Sequence, residues 1–423
     1  MTGPIIGMDE SYCCPEYAAM SRRGLLKTAL VAGASTTLFG TAVVTASPAS
    51  AASAPAVLVV VSLRGACDGL SLVVPHADPA YYAARPNIAI ASDVLLAKDG
   101  MFGLHPAFEP LLPFWTAGKV AAVHATGLPA PNRSHFAAME EVEDANPGSS
   151  VRSGWLNRLV GTDADSNPLQ GLSMGSAVAP ASLFGPQPVM SADSVGSLGV
   201  AGDDDGLSGR RRMRSLHTLW DGDRSRLGRS MKSTFGALES FQVVKDSSDE
   251  PENGAEYPGN DLGQALKEVA RVIKSDVGVA VLTVDQGDWD HHTDMGNVGG
   301  GLLVQNATGL ADSLTAFLTD LGAWGDRVTV VTISEFGRRV QENSSGGTDH
   351  GYGNVMFVAG AGVKGGTYYG RWPGLSNNLD GDLLVTTDYR SVLSEVVVSR
   401  FGASPAAVFP GFVRTPVGVM LGG

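Results

Sequence analysis

The chain has 423 residues, of which 43% are hydrophobic and 17% are charged, and its formal net charge is −13. This length is enough for one large core or two smaller ones. An acidic chain of this kind is a poor general binder of nucleic acid or of anionic membranes. The 54 glycines show no fixed period, which indicates many tight loops rather than a fibrous protein.

The N-terminus carries the pattern of an export signal. Residues 21–27 read Ser-Arg-Arg-Gly-Leu-Leu-Lys, close to the twin-arginine motif, and a weakly apolar run follows from Thr28 to Thr45. Small residues at 49–51 and 52–54 are typical of signal peptidase sites. We therefore predict that residues 1–54 form a twin-arginine signal peptide, with an uncleaved anchor as the alternative.

This prediction makes the twin-arginine translocase a partner during export. It places the mature chain, residues 55–423, outside the cell, in the periplasm or in the cell envelope, without a stable membrane span. Cys67 is then the last cysteine left, so the mature chain has no intramolecular disulfide.

Apolar runs and helical periodicity alternate along the mature chain. Buried strands are predicted at residues 56–63, 119–124, 277–284, 327–333 and 355–359. Helices are predicted at residues 104–115, 134–141, 154–160, 262–274, 302–321 and 388–401. The alternation indicates an α/β fold with a mostly parallel central sheet sandwiched by helices. Residues 203–258 are predicted to be a helical insertion, with two amphipathic helices around Gly222.

The stretch from Asp285 to Asp294 is the densest in metal-ligand side chains. Four carboxylates and two imidazoles fall in ten residues just after a predicted strand. Crowded carboxylates are stabilised by a cation, and Asp with His is a ligand set for Zn, Mn or Fe. A solvated acidic loop is the alternative interpretation.

Four further polar residues border separate predicted strands. They are Asp68, Ser134, Glu335 and His350. Taken alone, Asp68 is as well explained as a turn residue as it is as a site residue. Ser134, taken alone, is more often a helix cap than a nucleophile. Loops at the carboxyl edge of a parallel sheet meet, so together with Asp290 and His292 these residues predict a metal site.

Five sequence blocks carry a resemblance to a known family. They are Arg64–Leu70, Arg133–Phe136, Asp290–His292, Ser334–Arg339 and Gly347–Gly351. They resemble the signature blocks of the DUF1501 family, exported bacterial proteins of unestablished function. That family in turn resembles the alkaline phosphatase and sulfatase superfamily, which implies a parallel sheet between helices, two divalent metals and a Ser, Thr or modified Cys nucleophile.

The resemblance also implies roles for individual residues. It makes Ser134 the nucleophile and Arg133 or Arg338 the source of positive charge for a phosphate or sulfate group. The implied metal ligands are Asp68, Asp290, His292, Glu335 and His350.

The pattern departs from the superfamily at Phe336, where an imidazole is expected. The second metal site is then weaker, absent or selective for a harder cation, and the metal is Zn, Mn, Mg or Ca. His135 and His291, which neighbour the implied ligands, are expected as hydrogen-bond donors or alternative ligands.

Two functions stay open from the sequence. One is an exported metal-dependent hydrolase of phosphate or sulfate esters, acting on an anionic small molecule or a glycan ester. The other is a non-catalytic exported protein of the envelope that binds a metal or a ligand on the same fold.

Overall fold

The structure is a computed structural model that describes residues 36–39, 42–45, 54–163, 168–199 and 207–422. The twin-arginine motif at 21–27, the predicted cleavage region at 49–53 and the acidic residues 203–205 lie outside the described residues.

The described strands form one large sheet and one small two-stranded sheet. In chain order they are β1 (Thr36–Phe39), β2 (Ala42–Thr45), β3 (Val57–Leu63), β4 (Val73–Val74), β5 (Gly103–Leu104), β6 (Val120–Gly127), β7 (Gly171–Met174), β8 (Met190–Ala192), β9 (Val281–Gln286), β10 (Val328–Ile333), β11 (Asn354–Gly360), β12 (Tyr368–Tyr369) and β13 (Thr387–Asp388). The large sheet has the order β1-β2-β8-β7-β9-β3-β10-β11-β6-β12, with β13 beside β6, and β4 pairs with β5 separately.

Strand β3 lies at the centre of the sheet, as its sequence predicts. All seven of its residues are buried, and it pairs in parallel with β9 on one side and β10 on the other. Strands β7 and β8 continue the parallel arrangement beyond β9. The prediction of a mostly parallel central sheet is therefore confirmed.

Strand β11 reverses the direction of the sheet. It runs antiparallel to both β10 and β6, whereas the sequence alone predicted a parallel strand. The reversal has a consequence for position, because the amino end of β11 lies at the same edge as the carboxyl ends of β10 and β6. His350, which precedes β11, reaches that edge for this reason.

Helices cover both faces of the sheet. In chain order they are α1 (Gly69–Leu72), α2 (Pro79–Ala84), α3 (Leu112–Thr116), α4 (His135–Asp144), α5 (Trp155–Val160), α6 (Leu207–Asp221), α7 (Arg226–Asp246), α8 (Asp261–Lys274), α9 (Leu302–Leu321), α10 (Tyr389–Phe401) and α11 (Pro405–Val408).

The alternation of side chains along β3 divides the core in two. Val57, Val59 and Val61 belong to a buried apolar cluster that includes residues of α8 and α9. Leu58 and Val60 point the other way, into a cluster that includes residues of α4, α5 and α10. The sheet is thus sandwiched by helices, as the sequence predicts.

Helices α6 and α7 form the pair predicted around Gly222. Met231 and Phe235 of α7 are buried, and Met213 and Leu216 of α6 pack against them. None of the helices in the described ranges combines the length and the apolar character needed to span a membrane.

Replacing Gly337 by alanine tests how tightly the loops at the sheet edge are packed. An added Cβ would lie 1.9 Å from the carbonyl oxygen of Gly353. We expect Gly337→Ala to lower the free energy of unfolding by about 2 kcal/mol or more, measured by urea denaturation. Gly236→Ala in α7 is the control, because its Cβ meets no atom within 4 Å, and it should be neutral or raise stability by up to about 1 kcal/mol. Equal effects of the two substitutions would contradict the close packing.

Candidate metal centre

Loops from distant parts of the chain interlock at the carboxyl edge of the sheet, and glycines permit the close approach. Gly65, which follows β3, has a φ of +108°, and a Cβ there would lie 2.6 Å from the backbone nitrogen of Asp290. A Cβ on Gly347 would lie 2.3 Å from the backbone carbon of His292. The loops after β3, after β9 and before β11 therefore touch backbone to backbone.

Three side chains at this edge direct one donor atom each toward a common point: Asp290 from the loop after β9, His350 from the loop before β11 and His135 from the start of α4. The Nε2 atoms of His135 and His350 are 3.0 Å apart. The Oδ1 atom of Asp290 lies 3.6 Å from the former nitrogen and 3.4 Å from the latter. Within the described parts of the chain, these three residues form a His/Cys/Asp/Glu group that is close enough to hold a metal ion.

Each of these imidazoles is held at its other nitrogen. The Nδ1 atom of His135 lies 2.8 Å from Oε1 of Glu335, and Nδ1 of His350 lies 2.9 Å from the carbonyl oxygen of Arg133. A carboxylate and a carbonyl can only accept, so both Nδ1 atoms donate. In the neutral tautomer both Nε2 atoms then present lone pairs to each other and to Asp290, an arrangement that a cation stabilises.

His292 borders this group of three. Its Nε2 atom lies 3.0 Å from that of His350 and 3.1 Å from Oδ1 of Asp290. Its Nδ1 atom lies 3.0 Å from Oδ1 of Asp349. The sequence predicted His292 as a ligand. The structure places its Nε2 atom beside the donor atoms of His350 and Asp290, and its Nδ1 atom against the carboxylate of Asp349.

Asp290 is kept ionised by its neighbours. Burial would raise its pKa, but hydrogen bonds from His135, His292 and His350, together with the charge of Arg338, hold the pKa well below its usual range. The pKa of His135 is raised to about 9, because hydrogen bonds to Asp290 and Glu335 outweigh the effect of burial. Without a metal, the group therefore favours a proton on His135, which a bound metal would displace.

Glu335 lies behind His135 rather than among the three donor atoms. Its Oε1 atom accepts hydrogen bonds from His135 and from the backbone N–H of Gly65 at 2.9 Å. Its Oε2 atom accepts from Ser334 Oγ at 3.0 Å. The predicted metal ligand is thus placed as the carboxylate that orients a ligand.

Asp68 is drawn away from the three donor atoms by Arg85. Both residues are fully buried, and the two Asp68 oxygens accept from Nη1 and Nη2 of Arg85, the second at 2.9 Å. Burial would raise the pKa of Asp68, but Arg85 holds it below its usual value. The sequence predicted Asp68 as a metal ligand. The structure does not bring it into the group that could hold a metal.

Arg338 is also internal. Its side chain is fully buried, and Nη2 lies 2.5 Å from Oδ1 of Asp290. The guanidinium also donates to the carbonyl oxygens of residues 65, 66, 289 and 348. This placement gives no support to the predicted contact between Arg338 and a substrate anion.

Ser134 and Arg133 lie at the rim of the group. Ser134 occupies the N-cap position of α4, but its side chain makes no capping hydrogen bond. The guanidinium of Arg133 pairs with Asp382 and its side chain is 40% exposed. Ser134 adjoins His135 in sequence, and the backbone carbonyl of Arg133 accepts a hydrogen bond from His350.

His291 faces the interior, not the group of donor atoms. Its ring is buried, and neither ring nitrogen has a hydrogen-bond partner. Burial lowers its pKa to about 4, so the ring is neutral.

His135 has a more central place than the sequence predicts. The sequence indicates only a hydrogen-bond donor or an alternative ligand, whereas the structure places its Nε2 atom among the three converging donor atoms. The available signal was its position at the start of a helix that follows a buried strand. A side chain at the first helical position points back over the strand end.

The donor set fits a first-row divalent metal. Bonds of about 2.0–2.1 Å at angles of 90–109° would place ligand atoms about 2.9–3.4 Å apart, and the observed separations are 3.0, 3.4 and 3.6 Å. Two imidazoles and one carboxylate suit Zn, Mn or Fe, whereas Mg and Ca prefer oxygen ligands. The residues present are therefore able to hold a divalent metal.

Comparison with known proteins identifies a family. The sequence profile of the family described as "Protein of unknown function (DUF1501)" matches residues 101–390, more than half of the chain. No curated protein matches the sequence significantly.

Several solved structures show a distant likeness. The lipoteichoic acid synthase LtaP from Listeria monocytogenes is 10% identical, with 81% of this chain and 73% of that chain covered and a TM-score of 0.32. The alkaline phosphatase from the Antarctic bacterium TAB5 is 10% identical, with 75% and 95% covered and a TM-score of 0.30. The PsFucS1 sulfatase from Pseudoalteromonas sp. is 12% identical, with 74% and 64% covered and a TM-score of 0.29. TM-scores and identities this low leave the function of the chain open.

Substitution of Asp68 tests its pairing with Arg85. Asp68→Asn leaves a fully buried guanidinium without its counter-charge, so we expect the free energy of unfolding to fall by about 3–5 kcal/mol. Asp285→Asn is the control, since that residue pairs with Arg64 at 2.7 Å but its side chain is 44% exposed, and it should cost no more than about 1 kcal/mol. Urea denaturation of both variants makes the comparison, and a small effect at Asp68 would contradict the buried pair.

The same pair predicts a dependence of stability on pH. The pKa of Asp68 is lower in the folded chain than the value of about 3.9 expected when unfolded. Its stabilisation is therefore fully present above the unfolded pKa and is lost as the pH falls through the folded pKa. Urea midpoints between pH 5 and pH 2 should fall less steeply for Asp68→Asn than for the unmodified chain, and parallel curves over that window would rule out this contribution.

Proposed function

The chain belongs to the DUF1501 family, proteins of unknown function, and from this premise we propose that it is an exported metal-dependent hydrolase of phosphate or sulfate esters. The observation that carries the proposal is the convergence of His135 Nε2, Asp290 Oδ1 and His350 Nε2 within 3.6 Å of one another. Each imidazole is anchored through Nδ1, as in a site built to receive a metal rather than a solvated acidic loop.

Ser134 is the nucleophile in this proposal. A bound divalent metal supplies a Lewis acid that lowers the pKa of a coordinated hydroxyl or water and stabilises negative charge. The serine adjoins His135 in sequence, and its side chain is not used as a helix cap. It also stands at the amino end of α4, where the helix dipole favours the negative charge that develops as its hydroxyl loses a proton.

Arg133 binds the anionic part of the ester in this proposal. Its carbonyl oxygen fixes the ring of His350 at 2.9 Å, so its side chain starts beside the metal ligands. The guanidinium is half-exposed and paired with Asp382, which keeps it extended at the rim. Its planar fork matches two oxygens of a phosphate or sulfate group.

Export by the twin-arginine route is part of the same proposal and rests on the motif at residues 21–27. The substrate is then an anionic small molecule or a glycan ester outside the cytoplasm. Non-catalytic binding of a metal or ligand in the envelope is the alternative that the following measurements separate from hydrolysis.

Substitution of Ser134 tests the proposed chemistry. We expect Ser134→Ala to lower kcat on 4-nitrophenyl phosphate, bis(4-nitrophenyl) phosphate or 4-nitrophenyl sulfate by a factor on the order of 10³ or more, with metal content unchanged. Ser225→Ala is the matched control, because Ser225 also precedes a helix but accepts a capping bond from Gly228. It should affect stability alone. Full turnover by Ser134→Ala would exclude this nucleophile.

Removal of a donor tests the metal requirement. We expect His350→Ala, or dialysis of the unmodified chain against a chelator, to abolish both metal content and turnover. Elemental analysis and the same ester panel provide the measurement, with re-addition of Zn²⁺ or Mn²⁺ restoring activity to the unmodified chain only. A chain that binds metal but turns over none of the esters would favour the non-catalytic alternative.

A further inference from the structure

The residues that would build a second metal site are engaged elsewhere in the fold. The resemblance noted from the sequence implies two divalent metals, and a second metal would need its own set of carboxylates or imidazoles. In the part of the chain that the structure describes, the converging imidazoles are those of His135, His292 and His350, and all three surround the same Asp290 oxygen.

Asp68 is already engaged by the buried guanidinium of Arg85. Arg85 donates to both Asp68 oxygens. The same guanidinium is fixed by Ser71 Oγ at 3.0 Å and by the carbonyl oxygens of Val340 at 2.8 Å and Arg339 at 2.9 Å. A metal at Asp68 would have to displace a fully buried arginine whose other hydrogen bonds leave it no second position.

One aromatic ring, that of Phe336, borders the group of donor atoms. The ring of Phe336 lies 5.0 Å, centroid to centroid, from the rings of both His135 and His350. It is buried and offers no ligand atom. A metal on that side would meet carbon rather than nitrogen or oxygen.

The charges of the buried groups also favour a single metal ion. Three buried or largely buried carboxylates and two fully buried guanidiniums lie here: Asp68 pairs with Arg85, Asp290 pairs with Arg338, and Glu335 pairs with His135. With neutral imidazoles, as metal ligands must be, these groups sum to one negative charge. One divalent metal leaves a single positive charge for an anion to neutralise, whereas two would leave three positive charges in a poorly solvated place.

We propose that the centre is mononuclear, with one divalent metal at His135, Asp290 and His350 and with Arg85 holding the position of a second cation against Asp68. The inference rests on the proposed function, because it takes the group to be a metal site. The mononuclear centre and the hydrolase function would be overturned by different experimental results.

Metal stoichiometry tests the inference. The full chain, purified without chelators, is equilibrated with ZnCl₂ or MnCl₂, freed of loose metal and measured by elemental analysis against protein concentration. We expect one equivalent in the unmodified chain. We also expect one equivalent in Asp68→Asn, in the charge-neutral double variant Asp68→Asn/Arg85→Gln and in His291→Ala, and none in Asp290→Ala.

The outcomes separate this inference from the hydrolase proposal. Two tightly held equivalents in the unmodified chain, with one lost in an Asp68 or His291 variant, would overturn the mononuclear centre and leave the hydrolase intact. One equivalent without turnover of any ester supports the mononuclear centre and contradicts the hydrolase. No bound metal overturns both. The unmodified chain decides stoichiometry even if Asp68→Asn fails to fold, and the double variant removes the unpaired charge that would cause such a failure.

Discussion

The guanidinium of Arg338 is the interaction on which the site depends. It donates to backbone carbonyls of the loops after β3, after β9 and before β11, and it neutralises Asp290. Its burial makes each bond costly to lose. A substitution that removed the guanidinium would take a hydrogen-bond donor from four backbone carbonyl oxygens and a counter-charge from Asp290. The loops hold their positions because one cation satisfies them together.

Much of the architecture follows from local pattern. The continuous apolar run of β3 predicted a strand buried on both faces, and helices α8, α9 and α10 begin and end within a residue or so of their predicted bounds. The shared edge of the polar residues was predicted as well, although for an incomplete reason. His350 reaches that edge through the reversal of β11, and strand direction depends on pairing between distant segments that periodicity does not encode.

The roles of individual side chains were harder to predict. Whether an acid near a strand end binds a metal or another side chain depends on which partners the fold brings to it. Arg85, in a stretch whose sequence looked irregular, captures Asp68, and Glu335 becomes the orienting partner of His135. Both outcomes depend on side-chain direction after folding. Carboxylates and imidazoles are the residue types that a metal site needs. The sequence did not reveal which carboxylate would face the donor atoms, which would pair with an arginine and which would orient a histidine.

The wide separation of the donor residues along the chain limits when the centre can exist. His135 and His350 lie 215 positions apart yet bring their nitrogens to 3.0 Å. A ribosome must therefore release the chain well past residue 350 before the third donor can join the other two, and no proteolytic fragment that ends earlier contains all three. The three donor atoms therefore come together only once the folded sheet has joined these distant loops, late in the emergence of the chain.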